Sequence, residues 1–238
     1  GYRLADGPEP GPSSLPADHI GVHPQKDGLN YVGFAPTVGR VSGDILEALA
    51  DAADSVGARR IRFTPHQKLL VLDVPPERTD ELGLRANPSP FRRATLACTG
   101  IEYCKLAFVE TKSTAAAVID TLEQRLADVS LDRPISLHIN GCPNSCARIQ
   151  TADIGLKGQL QKNPDGTEEF AFQVHLGGGL ASVDREDAGL GRTVRGLKVT
   201  SANMPDYVER VTRSYLAGRK PDETFADWAH RADDEELR

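Results

Sequence analysis

The sequence is short of aromatic residues, at 5%, and holds one tryptophan and one methionine in 238 residues. Any core built from it must be mostly aliphatic. It also lacks an excess of positive charge: 28 Lys and Arg stand against 34 Asp and Glu, a formal net charge of −6. That balance argues against general nucleic-acid binding. No long hydrophobic run is present. The densest, Leu69-Leu70-Val71-Leu72, stops at Asp73, far short of the roughly 20 apolar residues that cross a bilayer. The opening residues have no apolar stretch of the kind that makes a secretory signal. The expectation is a soluble, cytoplasmic chain with no membrane and no nucleic-acid partner. Four cysteines are too few for a disulfide scaffold of this length; in a reducing compartment, clustered cysteines more often hold metal or do chemistry.

What is present supports folding. Hydrophobic residues make up 39% and charged residues 26%, enough for a packed core in one large or two small domains. Residues 1–18, with Gly7, Pro8, Pro10, Gly11, Pro12 and Pro16, have a linker composition. The first residue is Gly1 rather than Met, which suits a piece of a longer protein. From His19 to about Val74 the pattern is strand, strand, helix, strand, strand, an α+β plait. Ile20–His23 and Leu29–Phe34 read as extended about Gly28. Ser42 caps a helix carrying Ile45, Leu46, Leu49, Ala53 and Val56 at helical spacing, ended by Gly57. Ile61–Thr64 and Leu69–Val74 flank the turn Pro65-His66-Gln67-Lys68. A second unit starts near Phe91. Thr95–Ala97 is short and apolar, and a long helical pattern follows, interrupted near Thr111. Ile135–Ile139, Ile154–Leu156 and Phe170–Leu176 alternate like strands. The end is helical, with a stripe of Tyr207, Val208, Val211, Tyr215 and Leu216 and a charged second helix over Thr224–Leu237.

The sharpest signal is Cys98, Cys104, Cys142 and Cys146, arranged as Cys-x5-Cys and Cys-x3-Cys. Each leading cysteine ends an expected strand, and each trailing one falls in the first turns of an expected helix, framed by Gly141 and Pro143. Helix N-termini present free N–H groups that favour thiolates and anionic clusters. Three readings remain open: an iron–sulfur cluster; structural zinc, whose knuckles are usually Cys-x2–4-Cys; and inert or disulfide-bonded cysteines. Weaker features are Gly177-Gly178-Gly179, a tight turn without a following Walker lysine, and His138 and His175, expected as satisfied core residues.

The strings Ala-Cys-Thr-Gly and Gly-Cys-Pro-Asn-Ser-Cys, with Ile20-Gly-Val-His-Pro-Gln-Lys26, Val38-Gly-Arg40, Arg62-Phe-Thr64, Gln67 and Ala152-Asp-Ile-Gly155, resemble the siroheme-dependent nitrite and sulfite reductases, in their carboxy-terminal half. The resemblance runs from His19 to about Leu216. It implies a ferredoxin-like α/β plait half-domain over 19–83, followed over 84–238 by a 4Fe-4S-type mixed-sheet α/β domain. It further implies a [4Fe-4S] cluster on Cys98, Cys104, Cys142 and Cys146, with Cys146 also ligating siroheme, and siroheme contacts from Gln67, Lys68 and Asn144. Lys68 departs from the Asn common in the family. Lys26 and Arg148 are further cationic candidates.

By the same resemblance the protein reduces nitrite to ammonia or sulfite to sulfide with six electrons, ferredoxin being the donor, and Gly-Cys-Pro-Asn-Ser-Cys leans toward nitrite. The basic residues that grip the substrate anion are expected mainly from a first half absent from this chain, so no catalytic residue is assigned here. A rival on the same fold is an oxygenase resembling precorrin-3B synthase. A non-enzymatic rival is a zinc-stabilised binding module.

Overall fold

The computed structural model describes residues 18–84, 87–180 and 188–238; of the expected linker, residues 1–17 lie outside the described residues. Gly21–Pro24 (β1) and Asn30–Phe34 (β2) pair antiparallel around a turn in which Gly28 takes φ +86°, a backbone conformation open to glycine. Gly43–Ser55 (α1) starts as the sequence indicates: Ser42 Oγ accepts the N–H of Ile45 at 3.3 Å, and Asp44 lies in the first turn. Arg60–Phe63 (β3) and Leu69–Val74 (β4) complete a four-stranded antiparallel sheet of order β1-β2-β4-β3. Leu49 and Ala53 of α1 share a core with Val32, Phe34, Leu69 and Val71, which leaves β3 at an open edge.

The second unit begins with Pro90–Ala94 (α2), capped by Ser89 with Pro90 at its first position. The sequence reading assigned no helix there. Thr95–Ala97 (β5), Leu137–Asn140 (β6) and Ile154–Lys162 (β7) run parallel. Glu168–Leu176 (β8) and Lys198–Thr200 (β9) add antiparallel, giving the order β5-β6-β7-β8-β9. Lys112–Arg125 (α3) buries Ala115, Val118, Ile119 and Leu122. Met204–Gly218 (α4) buries Tyr207, Val208, Val211 and Tyr215. Phe225–Arg231 (α5) sets Phe225 and Trp228 against Tyr215, ring centroids 5.3–5.7 Å apart. Among the described residues no helix is long and apolar enough to cross a membrane.

Two expectations are corrected. The helix expected over Thr224–Leu237 stops at Arg231, because Ala232 is extended (φ −59°, ψ 148°) and the Asp233 carboxylate accepts the N–H groups of Glu235 and Glu236, opening a separate turn. The pattern read as helical before Thr111 forms turns instead; α3 starts only at Lys112.

The two units are locked together. Val38, at the left-handed φ of 49°, leaves the first sheet's core to join that of the second. Arg93 forms a paired ion contact with Asp18, at 2.5 and 2.8 Å. Burial opposes ionisation of Asp18, yet Arg93 and the Ile20 N–H hold its carboxyl below the usual range. Arg92 reaches Thr37, and Arg40 pairs with Glu102.

Candidate metal centre

The two cysteine pairs lie on loops that leave the same ends of neighbouring parallel strands. Ala97 of β5 pairs with Ile139 of β6, and the Cys98 N–H continues the ladder to Ile139 O at 3.0 Å. One loop then runs from Cys98 to Glu110, the other from Gly141 to Arg148. They are tied across: Phe108 N–H donates to Gly141 O at 2.8 Å. A Cβ at Gly141 would stand 2.9 Å from Ala107 Cβ and 3.2 Å from Val109 O, so the approach needs glycine.

Neither trailing cysteine starts a helix, which corrects the sequence expectation. Cys104 sits in a single turn, its N–H on Gly100 O. Cys146 sits between Ser145 and Arg148, whose φ values of 57° and 56° interrupt any helix. Among the described residues, neither trailing thiol therefore sits at a helix terminus. Gly141 N–H donates to Cys98 Sγ at 3.1 Å. Buried Thr111 donates its hydroxyl to Cys98 O at 2.6 Å.

All four thiols are free of disulfides, and they differ in exposure: Cys142 is buried, Cys98 and Cys104 are half-buried, and Cys146 is exposed. Among the described residues, no group of three or more His, Cys, Asp and Glu side chains is placed to hold a metal ion. Four free thiols on two adjoining loops are the number of ligands that an iron–sulfur cluster or a four-thiolate zinc ion takes.

Asn140, missed in the sequence, organises the second loop. Fully buried, its Nδ2 donates to Cys142 O at 2.7 Å and its Oδ1 accepts the Ala147 N–H at 2.8 Å. One amide thus spans the Cys-Pro-Asn-Ser-Cys segment. Asn144, the expected contact, is exposed within that loop.

Gln67 and Lys68 lie on the β3–β4 turn and face the second sheet. Gln67 Nε2 donates to Ala97 O at 2.7 Å, and its Oε1 accepts the Ala97 N–H at 3.3 Å. Lys68 was expected to face the cofactor. It is 1% exposed, with its ammonium toward Thr95 O at 3.5 Å. Burial pushes its pKa down to about 8, despite attraction from Asp18. Arg148 reaches Pro65 O at 3.3 Å, across the two units, and its own carbonyl meets His138 Nδ1 at 3.2 Å. His138 is buried as expected, and that burial pushes its pKa down to about 4. His175 Nε2 is buried with no hydrogen-bond partner among the described residues, against the expectation of a satisfied ring. Lys26 is exposed. Gly177-Gly178-Gly179 bends against the backbone of the second loop's exit, Gly178 N–H donating to Ala152 O at 2.9 Å.

Comparison with known proteins gives this arrangement a context. A family model described as the nitrite/sulfite reductase ferredoxin-like half domain matches residues 23–83. A second, the nitrite and sulphite reductase 4Fe-4S domain, matches residues 89–238. Sulfite reductase [ferredoxin] 1 of Mycolicibacterium paratuberculosis is 56% identical over 99% of this chain and 43% of its own length. Ferredoxin–nitrite reductase of Synechococcus elongatus is 36% identical over 82% of this chain and 38% of its own. The solved structure of the Mycobacterium tuberculosis NirA protein superposes with a TM-score of 0.92 at 50% identity, covering 99% of this chain and 44% of that one. The chain thus spans less than half the length of these relatives.

Proposed function

The chain belongs to the nitrite and sulfite reductase family, and on that footing we propose that Cys98, Cys104, Cys142 and Cys146 hold a [4Fe-4S] cluster, with Cys146 also ligating the iron of siroheme. The whole protein would reduce an oxyanion by six electrons taken from ferredoxin. When bound, the two cofactors supply the one-electron transfers that such a reduction requires. The supporting observation is the gradient of exposure among the thiols. Cys142 is enclosed, whereas Cys146 alone of the four is exposed, so its sulfur is open to an iron outside the cluster. Gly141 N–H steadies Cys98 Sγ, and Asn140 fixes the loop from which Cys146 projects.

Sulfite is the favoured substrate. The relatives named as sulfite reductases stand at 50–56% identity, those named as nitrite reductases at 34–39%. Nitrite is the second reading, favoured by Gly-Cys-Pro-Asn-Ser-Cys. Substrate-gripping cations would come mainly from chain beyond these residues, since the relatives extend for more than twice this length. That remainder also has a seat. Ile45 and Leu46 on α1 and Ile61 and Phe63 on edge strand β3 are exposed, Phe63 to 75%, and an open edge with apolar side chains suits a second half-domain.

The test is Cys146→Ser in the whole protein. The siroheme absorption bands should shift and turnover should fall by at least a hundredfold, a loss of the order expected when a reacting centre is misplaced. Unchanged siroheme bands with full turnover would overturn the bridging assignment.

A further inference from the structure

Strand β5 is the outer strand of the second sheet, and the first cysteine follows it directly. Cys98 N–H points inward to Ile139 O. In a parallel ladder, successive residues direct their backbone groups to opposite sides, so Ala97 and Thr95 turn theirs outward, where no strand pairs with β5 among the described residues. Buried backbone groups need partners. The β3–β4 turn supplies them: Gln67 takes both the N–H and the C=O of Ala97, and Lys68 reaches Thr95 O.

We propose that Gln67 is a positioning residue, its side-chain amide acting as a one-residue surrogate strand that fixes the direction in which Cys98 leaves the sheet. Three features hold Gln67 to this task. Its turn is closed by Thr64, whose Oγ1 accepts from His66 N–H and Lys68 N–H at 3.2 and 3.3 Å. Gln67 itself sits at φ 58°, a left-handed conformation unfavourable for a non-glycine residue that the surrounding contacts enforce. Behind it, Gly39 at φ +71° packs so closely that a Cβ would fall 2.8 Å from Gln67 Cβ. The Lys112 ammonium then donates to Gln67 Oε1 at 3.3 Å and to Val38 O, joining the start of α3 to the β3–β4 turn and to the segment around Val38. The half-domain is thereby a brace for the root of the first cysteine loop. Calling Cys98 a cluster ligand rests on the function proposed above; the bracing of Ala97 does not.

The test compares the chain with its Gln67→Met and Gln67→Glu variants by residue-resolved amide hydrogen exchange without metal, and by the rate of cluster loss to a chelator after reconstitution. Methionine removes both bonds, and exchange at Ala97 should rise roughly tenfold while amides of β2 and β4 keep their rates. Glutamate keeps the acceptor but not the donor, and should retain part of the protection. Chelator-driven cluster loss should quicken in the same order. Ala97 exchange within twofold of the parent would overturn the proposal. So would an equal rise throughout the first sheet, which would mark Gln67 as a general stabiliser of the half-domain. If the parent chain assembles no cluster, the reading of Cys98 fails, while Ala97 exchange still decides the role of Gln67.

Discussion

Asn140, at the end of β6, and Asn144, in the cysteine loop that follows, stand four residues apart, and the sequence drew attention only to Asn144, as a siroheme contact. Both are polar residues beside Gly, Pro and Cys. Only the fold shows that Asn140 ends a wholly buried strand, where its amide meets two backbone groups of the loop that follows. The four cysteines stood out in the sequence by their spacing; Thr111 and Asn140, which tie down the two loops, did not, because a hydrogen bond to backbone imposes no pattern on sequence. Asn140→Ala leaves Cys142 O and Ala147 N–H buried without partners and should destabilise the chain by about 2–3 kcal/mol in denaturant unfolding, each stranded group costing on the order of 1–3 kcal/mol. A loss below about 0.5 kcal/mol would mean that the loop is held by other contacts.

At the level of elements, hydrophobic periodicity located nearly every strand and the cores of α1, α3 and α4. It misjudged segments governed by local side-chain bonds. The turns before Thr111 carry apolar residues at helix-like spacing, yet Ile101, Tyr103, Leu106 and Phe108 are exposed; a pattern that resembles a buried face here faces outward. Edge strand β3 shows the same inversion, with all four residues exposed. If β3 and α1 seat a second half-domain, the chain by itself should associate through them as concentration rises. Phe63→Lys should suppress that association in sedimentation velocity without loss of helix or sheet signal, since the ring makes little of the core. Equal association in parent and variant would place the adhesive surface elsewhere.

Across the whole molecule, two sheets of different character divide the work. The antiparallel sheet carries the β3–β4 turn that braces β5, and the mixed sheet projects both cysteine loops from adjacent parallel strands. That division was readable in outline: alternation and a helix between strand pairs in the first unit, apolar runs separated by helices in the second. The docking between units was not, because it depends on Val38 crossing into the other core and on long-range contacts such as Arg93 with Asp18. The central claim is that this framework presents four thiolates to an iron–sulfur cluster. Anaerobic iron and acid-labile sulfide analysis of the reconstituted chain tests it most directly. About four irons and four sulfides per chain are expected for a [4Fe-4S] centre; one zinc per chain with no sulfide would contradict it.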